Sequence, residues 1–319
     1  MSTLVCDVCP RACKLEEGKT GFCKVRGSVG GKNVDALYSL VHPHLSPSRF
    51  GRVHLYLPGC NLRCWFCDVK SVARFFFGSD VYRKVTPSEA VDSAFGCGGQ
   101  KLADFFGGHV GSGQLDFFGG EPGVHYEYVL ETSRLLRERG GVSALYTCGY
   151  FNPWVMETLA RAVDQVQIGI KGGATEEAYK PMGANPATVL HSVKIVYENC
   201  PDVWIRNLIG PYNSSLWPGD KALERFARWL VDNTNSKIPV LVEPMLEFTD
   251  TDEVPAIGRA PIGDDDYSMS IRCLLTGEIF VRNGLTNVWV FEALSGRVRT
   301  THVPSGREFP EADALPKRR

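Results

Sequence analysis

The chain has 319 residues, 44% hydrophobic and 22% charged. That is room for one large α/β domain or two ordinary ones, and it excludes a disordered chain or a coiled coil. With 35 basic residues against 36 acidic the formal net charge is -1, so no whole-chain field draws it to nucleic acid or an anionic membrane. There is no apolar run of about 18 residues to span a membrane. The opening MSTLVCDVCPRACKLEEGK lacks the basic-then-apolar order of an export signal, so a reducing, cytoplasmic setting is expected.

Residues 1–50 read as a loop-rich lead. GSVGGK (27–32) and HPHLSPSRF (42–50) are turn-rich and break any regular period. Of the 11 cysteines, Cys6, Cys9, Cys13 and Cys23 fall here, spaced C-x2-C-x3-C-x9-C. Close-set cysteines in a reducing compartment read as metal ligands rather than disulfides. Four thiols within 18 residues can close a tetrahedral zinc or hold all four irons of a cluster, and spacing alone does not separate the two. Cys97, Cys148, Cys200 and Cys273 stand singly.

From 51 to 247 short apolar runs alternate with amphipathic stretches. The expected strands are 53–59, 114–120, 143–149, 165–172, 203–210 and 239–246. Several are apolar on both faces, as parallel strands beneath helices are. Helices are expected at 87–95, 126–139, 153–163, 188–199 and 222–233. Thr86 before Pro87 and Glu89, and Asn152 before Pro153, supply helix starts. In the second helix Tyr128, Leu135 and Leu136 share a face, with Arg134, Arg137 and Arg139 opposed.

Repeated β–α units predict an α/β fold with right-handed crossovers, a partial (β/α)6 TIM-like barrel, with an open doubly wound sheet as the alternative. Residues 248–319 are expected to cap it. The segment 249–268 reads as an acidic loop, and RCLLTGEIFVRNG and NVWVFEALSGRV as a small antiparallel β extension.

The strongest signal is LPGCNLRCWFCD, which sets Cys60, Cys64 and Cys67 in C-x3-C-x2-C directly after the first strand. Three thiolates this close can hold three corners of an iron–sulfur cube and leave the fourth iron open to a small molecule; a zinc completed by a distant ligand is the alternative. With Phe66 just before the third cysteine, the loop resembles the hallmark of the radical S-adenosylmethionine (SAM) enzymes. The resemblance covers about residues 52–246. It implies a [4Fe–4S] cluster whose open iron is chelated by SAM, cleavage to methionine and a 5′-deoxyadenosyl radical, and hydrogen abstraction.

About 50 residues downstream, FFGGEP ends the second strand with Gly119, Gly120 and Glu121. Glycines permit close backbone approach, a carboxylate compensates a desolvated ammonium, and strand C-termini form the active face of a β/α barrel. The segment is similar to the family's motif for the SAM amino group. Thr147, beside Cys148 and Gly149, ends the third strand; Lys171 ends the fourth; Arg206 and Asn207 lie on the fifth and Glu243 on the sixth. Thr147, Lys171 and Arg206 are candidate cofactor contacts. A buried arginine needs a partner, so ion pairing competes with ligand contact at Arg206. His42, His44 and His54 read as structural.

The CP-R-x-C lead and VWIRNLIGP resemble relatives of the pyruvate formate-lyase and glycyl radical enzyme activating group, which tilts the N-terminal cysteines toward a second [4Fe–4S] cluster over zinc. That group has an aspartate two residues before the lysine; this chain has Gly169 there, which puts glycyl radical activation in doubt. The resemblance implies a protein or peptide target and a flavodoxin or ferredoxin as electron donor. A small molecule or tRNA base is the alternative within the class, the near-neutral charge weighing against RNA. A non-catalytic electron carrier or zinc module is the alternative outside it. A carrier would seal the cube with a fourth protein ligand, for which Cys97 in FGCGGQ is the nearest later cysteine.

Overall fold

Each of the six apolar segments of the central region folds as a strand: β1 (Val53–Leu57), β2 (Gln114–Gly119), β3 (Val142–Thr147), β4 (Gln165–Lys171), β5 (Asp202–Ile209) and β6 (Val240–Pro244). The computed structural model describes residues 4–42, 52–74, 82–106, 111–210, 214–245, 265–294 and 297–306. It adds β7 (Val288–Leu294) and β8 (Arg297–His302) from the tail. Neighbours in the sheet follow chain order from β1 to β8. All pairs are parallel except the β7–β8 hairpin. A doubly wound sheet reverses its strand order near the middle. This sheet never does, which is the order of a wall curling into a partial barrel.

Each crossover carries a main helix, α1 (Pro87–Ala94), α2 (Tyr126–Glu138), α3 (Pro153–Ala162), α4 (Pro186–Asn199), α5 (Asp220–Asn233) and α6 (Asp265–Arg282), and shorter helices at Lys70–Ala73, Gln100–Phe105 and Glu176–Tyr179 accompany them. Thr86 closes a full capping box with Glu89 at the start of α1. Asn152 precedes α3 but makes no cap bond; its amide donates to the Asp7 carbonyl at 2.6 Å and ties the helix start to the lead. Tyr128 and Leu136 of α2 are fully buried, while Arg134 pairs with Glu138 in solvent.

β4 and β5 are apolar on one face only. Val166, Ile168 and Ile170 are fully buried, whereas Gln167, Gly169 and Lys171 face a cavity. The same period of two sets Val203, Ile205 and Ile209 in the core and Arg206 and Leu208 on the cavity.

The tail keeps the expected antiparallel strands as the β7–β8 hairpin and departs from expectation in the segment before it. Most of RCLLTGEIFVRNG is helix, inside α6. Ser270, Cys273, Thr276, Gly277 and Phe280 are buried at steps of three and four, one face of a helix rather than the alternate burial of a strand. β7 then pairs with β6 in parallel, so the sheet continues past the expected boundary at 247. Most of the expected acidic loop lies outside the described residues, and Asp265–Arg282 begins within its last part.

The lead is built from short antiparallel pairs: Leu4–Val5 with Lys14–Leu15, Arg26–Val29 with Lys32–Asp35, and Leu40–Val41 with Arg83–Lys84. GSVGGK is the second hairpin, turned by Gly30 and Gly31 at φ 58° and 72°. Arg26, 2% exposed, fastens it to the barrel, its guanidinium donating to the Glu127 carboxylate of α2 at 2.6 and 2.8 Å. His42 stacks edge-on against Tyr82 and His54 lies 3.2 Å from Asp116. His44 lies outside the described residues.

Candidate active site

The strands' C-terminal ends surround a cavity of about 280 Å³. Cys60, Cys64, Cys67 and Phe66 form one wall. Gly119, Gly120, Glu121, Thr147, Lys171 and Arg206 line the same space, so sequence positions spread over 147 residues meet in one place. Cys60 is buried and its sulfur accepts the Leu62 amide at 3.3 Å. Cys64 lies 3.1 Å from the Met182 sulfur. Burial pushes the Cys60 thiol well up, and the Glu121 carboxylate pushes it further. Burial also raises Cys64, against the pull of Lys171, and takes Cys67 up to about 12 with Asp68 adding to it.

The paired glycines of GGEP serve the chain itself. A Cβ on Gly120 would stand 2.0 Å from the Gly59 carbonyl, and one on Gly119 2.5 Å from the Leu57 amide. Only glycine lets the end of β2 pack this closely on the entry to the cysteine loop. Glu121, 1% exposed, points across to β3. Its carboxylate accepts the Thr147 hydroxyl at 2.8 Å, the Cys148 amide at 2.7 Å and the Gly123 amide at 3.0 Å. Burial raises its pKa while these donors oppose the rise. Thr147 is therefore already engaged with Glu121.

Arg206 pairs with Glu243 on the neighbouring strand through two hydrogen bonds and lies over the Tyr146 ring at 5.2 Å. Burial alone would lower its pKa; the Glu243 carboxylate holds it above its ordinary value. Lys171 differs: among the described residues its ammonium forms no ion pair. It folds back over Gly169, 2.6 Å from where a Cβ there would sit. Asp68, next to Cys67, lines the same cavity and is exposed to water. Confinement raises its carboxyl, and Arg206 and Lys171 draw it down.

Asp68, Tyr146, Gln167, Met245 and Phe291 also line the cavity, and sequence reading had not singled them out. Gln167 was accessible to strand alternation from Lys171. Asn61, fully buried, was hidden by its ordinary type; its amide donates to the Tyr150 carbonyl at 2.7 Å and its oxygen accepts the Cys148 thiol at 3.3 Å. Cys148 belongs to the cavity wall. Cys97 does not; it is exposed near Arg139. Asn207 faces away, holding the Gly173 amide at 3.1 Å. His42 and His54 do not line the cavity.

The four N-terminal cysteines come together as well. Cys6, Cys9, Cys13 and Cys23 line a second, smaller cavity with Arg11, Arg26 and Asn61.

Known proteins resemble this chain in sequence and in fold. An uncharacterized protein of Methanocaldococcus jannaschii is 30% identical over 227 residues, 66% of this chain and 62% of the relative. Streptococcus suis SuiB bound to S-adenosylmethionine superposes with a TM-score of 0.51 at 14% identity, over 77% of this chain and 51% of SuiB. A second SuiB structure gives 0.50 at 15%. The chain thus spans less than two thirds of either relative's length, and the likeness to SuiB is one of fold. The model of the radical SAM superfamily matches residues 55–215, the span from β1 through β5 that carries the cysteine loop and GGEP. Half the chain answers to that one description, and the protein belongs to the radical SAM superfamily, whose members work with a [4Fe–4S] cluster and S-adenosylmethionine.

Proposed function

We propose that the chain reductively cleaves S-adenosylmethionine and directs the resulting radical at a protein or peptide. One observation carries this: the three cysteines of C-x3-C-x2-C share a single cavity with GGEP at the strands' C-terminal ends. The donor set fits an iron–sulfur cube. Three soft thiols form one wall, and buried thiols with raised pKa values become thiolates when iron compensates their charge. Among the described residues no three His, Cys, Asp or Glu side chains converge on one ion; a cube does not ask them to, because each sulfur takes its own iron. When bound, the cluster supplies the electron that breaks the sulfonium C–S bond, giving methionine and a 5′-deoxyadenosyl radical.

The chain's own groups would do the rest. Glu121 braces β2 against β3 and gives the wall a negative charge for an ammonium. Lys171 offers the cation for a carboxylate. The Arg206–Glu243 pair shapes the far wall. Anaerobically reconstituted protein with dithionite and S-adenosylmethionine should release 5′-deoxyadenosine, and Cys60→Ala should abolish it. Absence of product from fully reconstituted protein, its iron content above that of the Cys60→Ala variant, would overturn the reading.

A fourth thiol in the wall, Cys148, favours a second reading, a sealed electron carrier. That thiol donates to the Asn61 side-chain oxygen at 3.3 Å, a hydrogen bond that engages it without a metal. Cys148→Ala, like Cys97→Ala, should keep its iron; loss of the cluster from either would favour the carrier.

The polypeptide target rests on the likeness to activating enzymes. Gly169, covered by the Lys171 ammonium, supports a task other than glycyl radical formation. A flavodoxin or ferredoxin would supply the electron, in the cytoplasm. Among the described residues no helix is long and apolar enough to cross a membrane. Cell extract split by size tests the target: the polypeptide fraction should accelerate 5′-deoxyadenosine release, and acceleration by the small-molecule or RNA fraction alone would redirect the assignment.

A further inference from the structure

We propose that Cys6, Cys9, Cys13 and Cys23 hold an iron–sulfur cluster that relays electrons inward to the Cys60, Cys64 and Cys67 site. The proposal rests on reading that inner site as a cluster. Four thiols lining one cavity is the complement that closes every corner of a cube, whereas the inner site offers three. The surroundings are built for sulfur anions. The Phe22 amide points at the Cys13 sulfur at 3.4 Å, the Arg26 amide at Cys23 at 3.3 Å, and the Asn33 side-chain amide at Cys6 at 3.5 Å. Donors aimed at ligand sulfurs set the potential of such centres. Arg11 and Arg26 add positive charge to the cavity wall.

The site is polarised between solvent and the inner loop. Cys13 is half-buried and Cys6, Cys9 and Cys23 are buried, so Cys13 is the side an external donor can approach. Cys23 is the inward side. Its carbonyl would stand 2.4 Å from a Cβ on Gly59, which places its backbone in contact with the residue before Cys60. Around this contact the two loops are bolted together. The Arg11 guanidinium donates to the Asn61 carbonyl, and Arg63 donates to the Phe22 carbonyl at 2.7 Å and the Cys60 carbonyl at 3.1 Å. Asn61 lines the outer cavity while its side chain accepts the Cys148 thiol of the inner one, so this residue touches both. A redox-inert zinc has no use for this contact. The relayed step moves one electron, from a low-potential flavin or iron–sulfur donor to the outer cluster and then to the inner. No bond forms or breaks and no proton moves.

Metal analysis of the anaerobically reconstituted full chain decides the first half. About eight irons per chain are expected, falling to about four in Cys9→Ala and in the milder Cys13→Ser. About four irons with one zinc would overturn the proposal. The chain with Cys60, Cys64 and Cys67 all replaced by Ala should keep about four irons. Iron retained there while 5′-deoxyadenosine never forms in the parent would sink the radical reading and leave the outer cluster standing. For the relay, electron paramagnetic resonance of the dithionite-reduced parent should show two interacting signals, reduced to one unperturbed signal in Cys13→Ser. Reduction of the inner cluster by reduced flavodoxin should slow about tenfold or more in that variant. An unchanged rate would overturn the relay.

Discussion

Glu121 shows how one buried carboxylate holds a site together. Its acceptors meet three donors from two segments, and an amide in its place would turn an N–H group toward at least one of them. Glu121→Gln should cost about 1–3 kcal/mol, read as a lower melting temperature, with weaker S-adenosylmethionine binding by equilibrium dialysis. Gly169 gives the contrasting case. The atom nearest a new Cβ there is the far end of the flexible Lys171 side chain, so Gly169→Ala should change stability by no more than about 0.5 kcal/mol. It should still displace the ammonium and weaken ligand binding. An unchanged Kd would remove Lys171 from the ligand's surroundings.

Two elements carry expectations of their own. α6 packs as part of the barrel: Phe280 is fully buried and meets Phe226 of α5 edge-on at 5.9 Å. Phe280→Ala should cost about 3–5 kcal/mol in denaturant unfolding, a loss too large for a detachable cap. The hairpin Arg26–Val29 with Lys32–Asp35 depends on the Arg26–Glu127 pair. Arg26→Ala should cost about 2 kcal/mol, less than for a fully dry pair, because Glu127 keeps 35% of its side chain exposed. A melting temperature matching the parent's would show that the pair does not hold the hairpin.

At the scale of the whole molecule, the two parts of the fold differ in what holds them, and the proposed outer cluster would matter to one of them. The barrel has a continuous apolar core; the lead has short strands gathered around four cysteines. Stripping iron should therefore speed hydrogen exchange at backbone amides of residues 4–42 while β2 to β5 stay protected. Equal protection in both would show a lead that folds without metal.

The periods of the sequence revealed the strands and helices of the barrel, because a strand buried beneath helices has few other compositions open to it. RCLLTGEIFVRNG misled because a short apolar run of β-branched and aromatic residues fits either period, and packing against α5 and β7 selected the helix. The cysteine loop and GGEP were legible because close-set cysteines and paired glycines at strand ends are distinctive in residue type and spacing. Asn61 and Tyr146 were not, since their types are common and their roles come from position. The chain by itself determined the family, the candidate cysteine ligands and the alternation of strand and helix, all of which depend on local chemistry and spacing. Only the tertiary structure decided that Arg206 belongs to Glu243, that Lys171 covers Gly169 and that Cys23 abuts Gly59. Each of those contacts joins residues that neighbouring strands, folded-back side chains or packed loops bring together, and no local spacing encodes such a meeting.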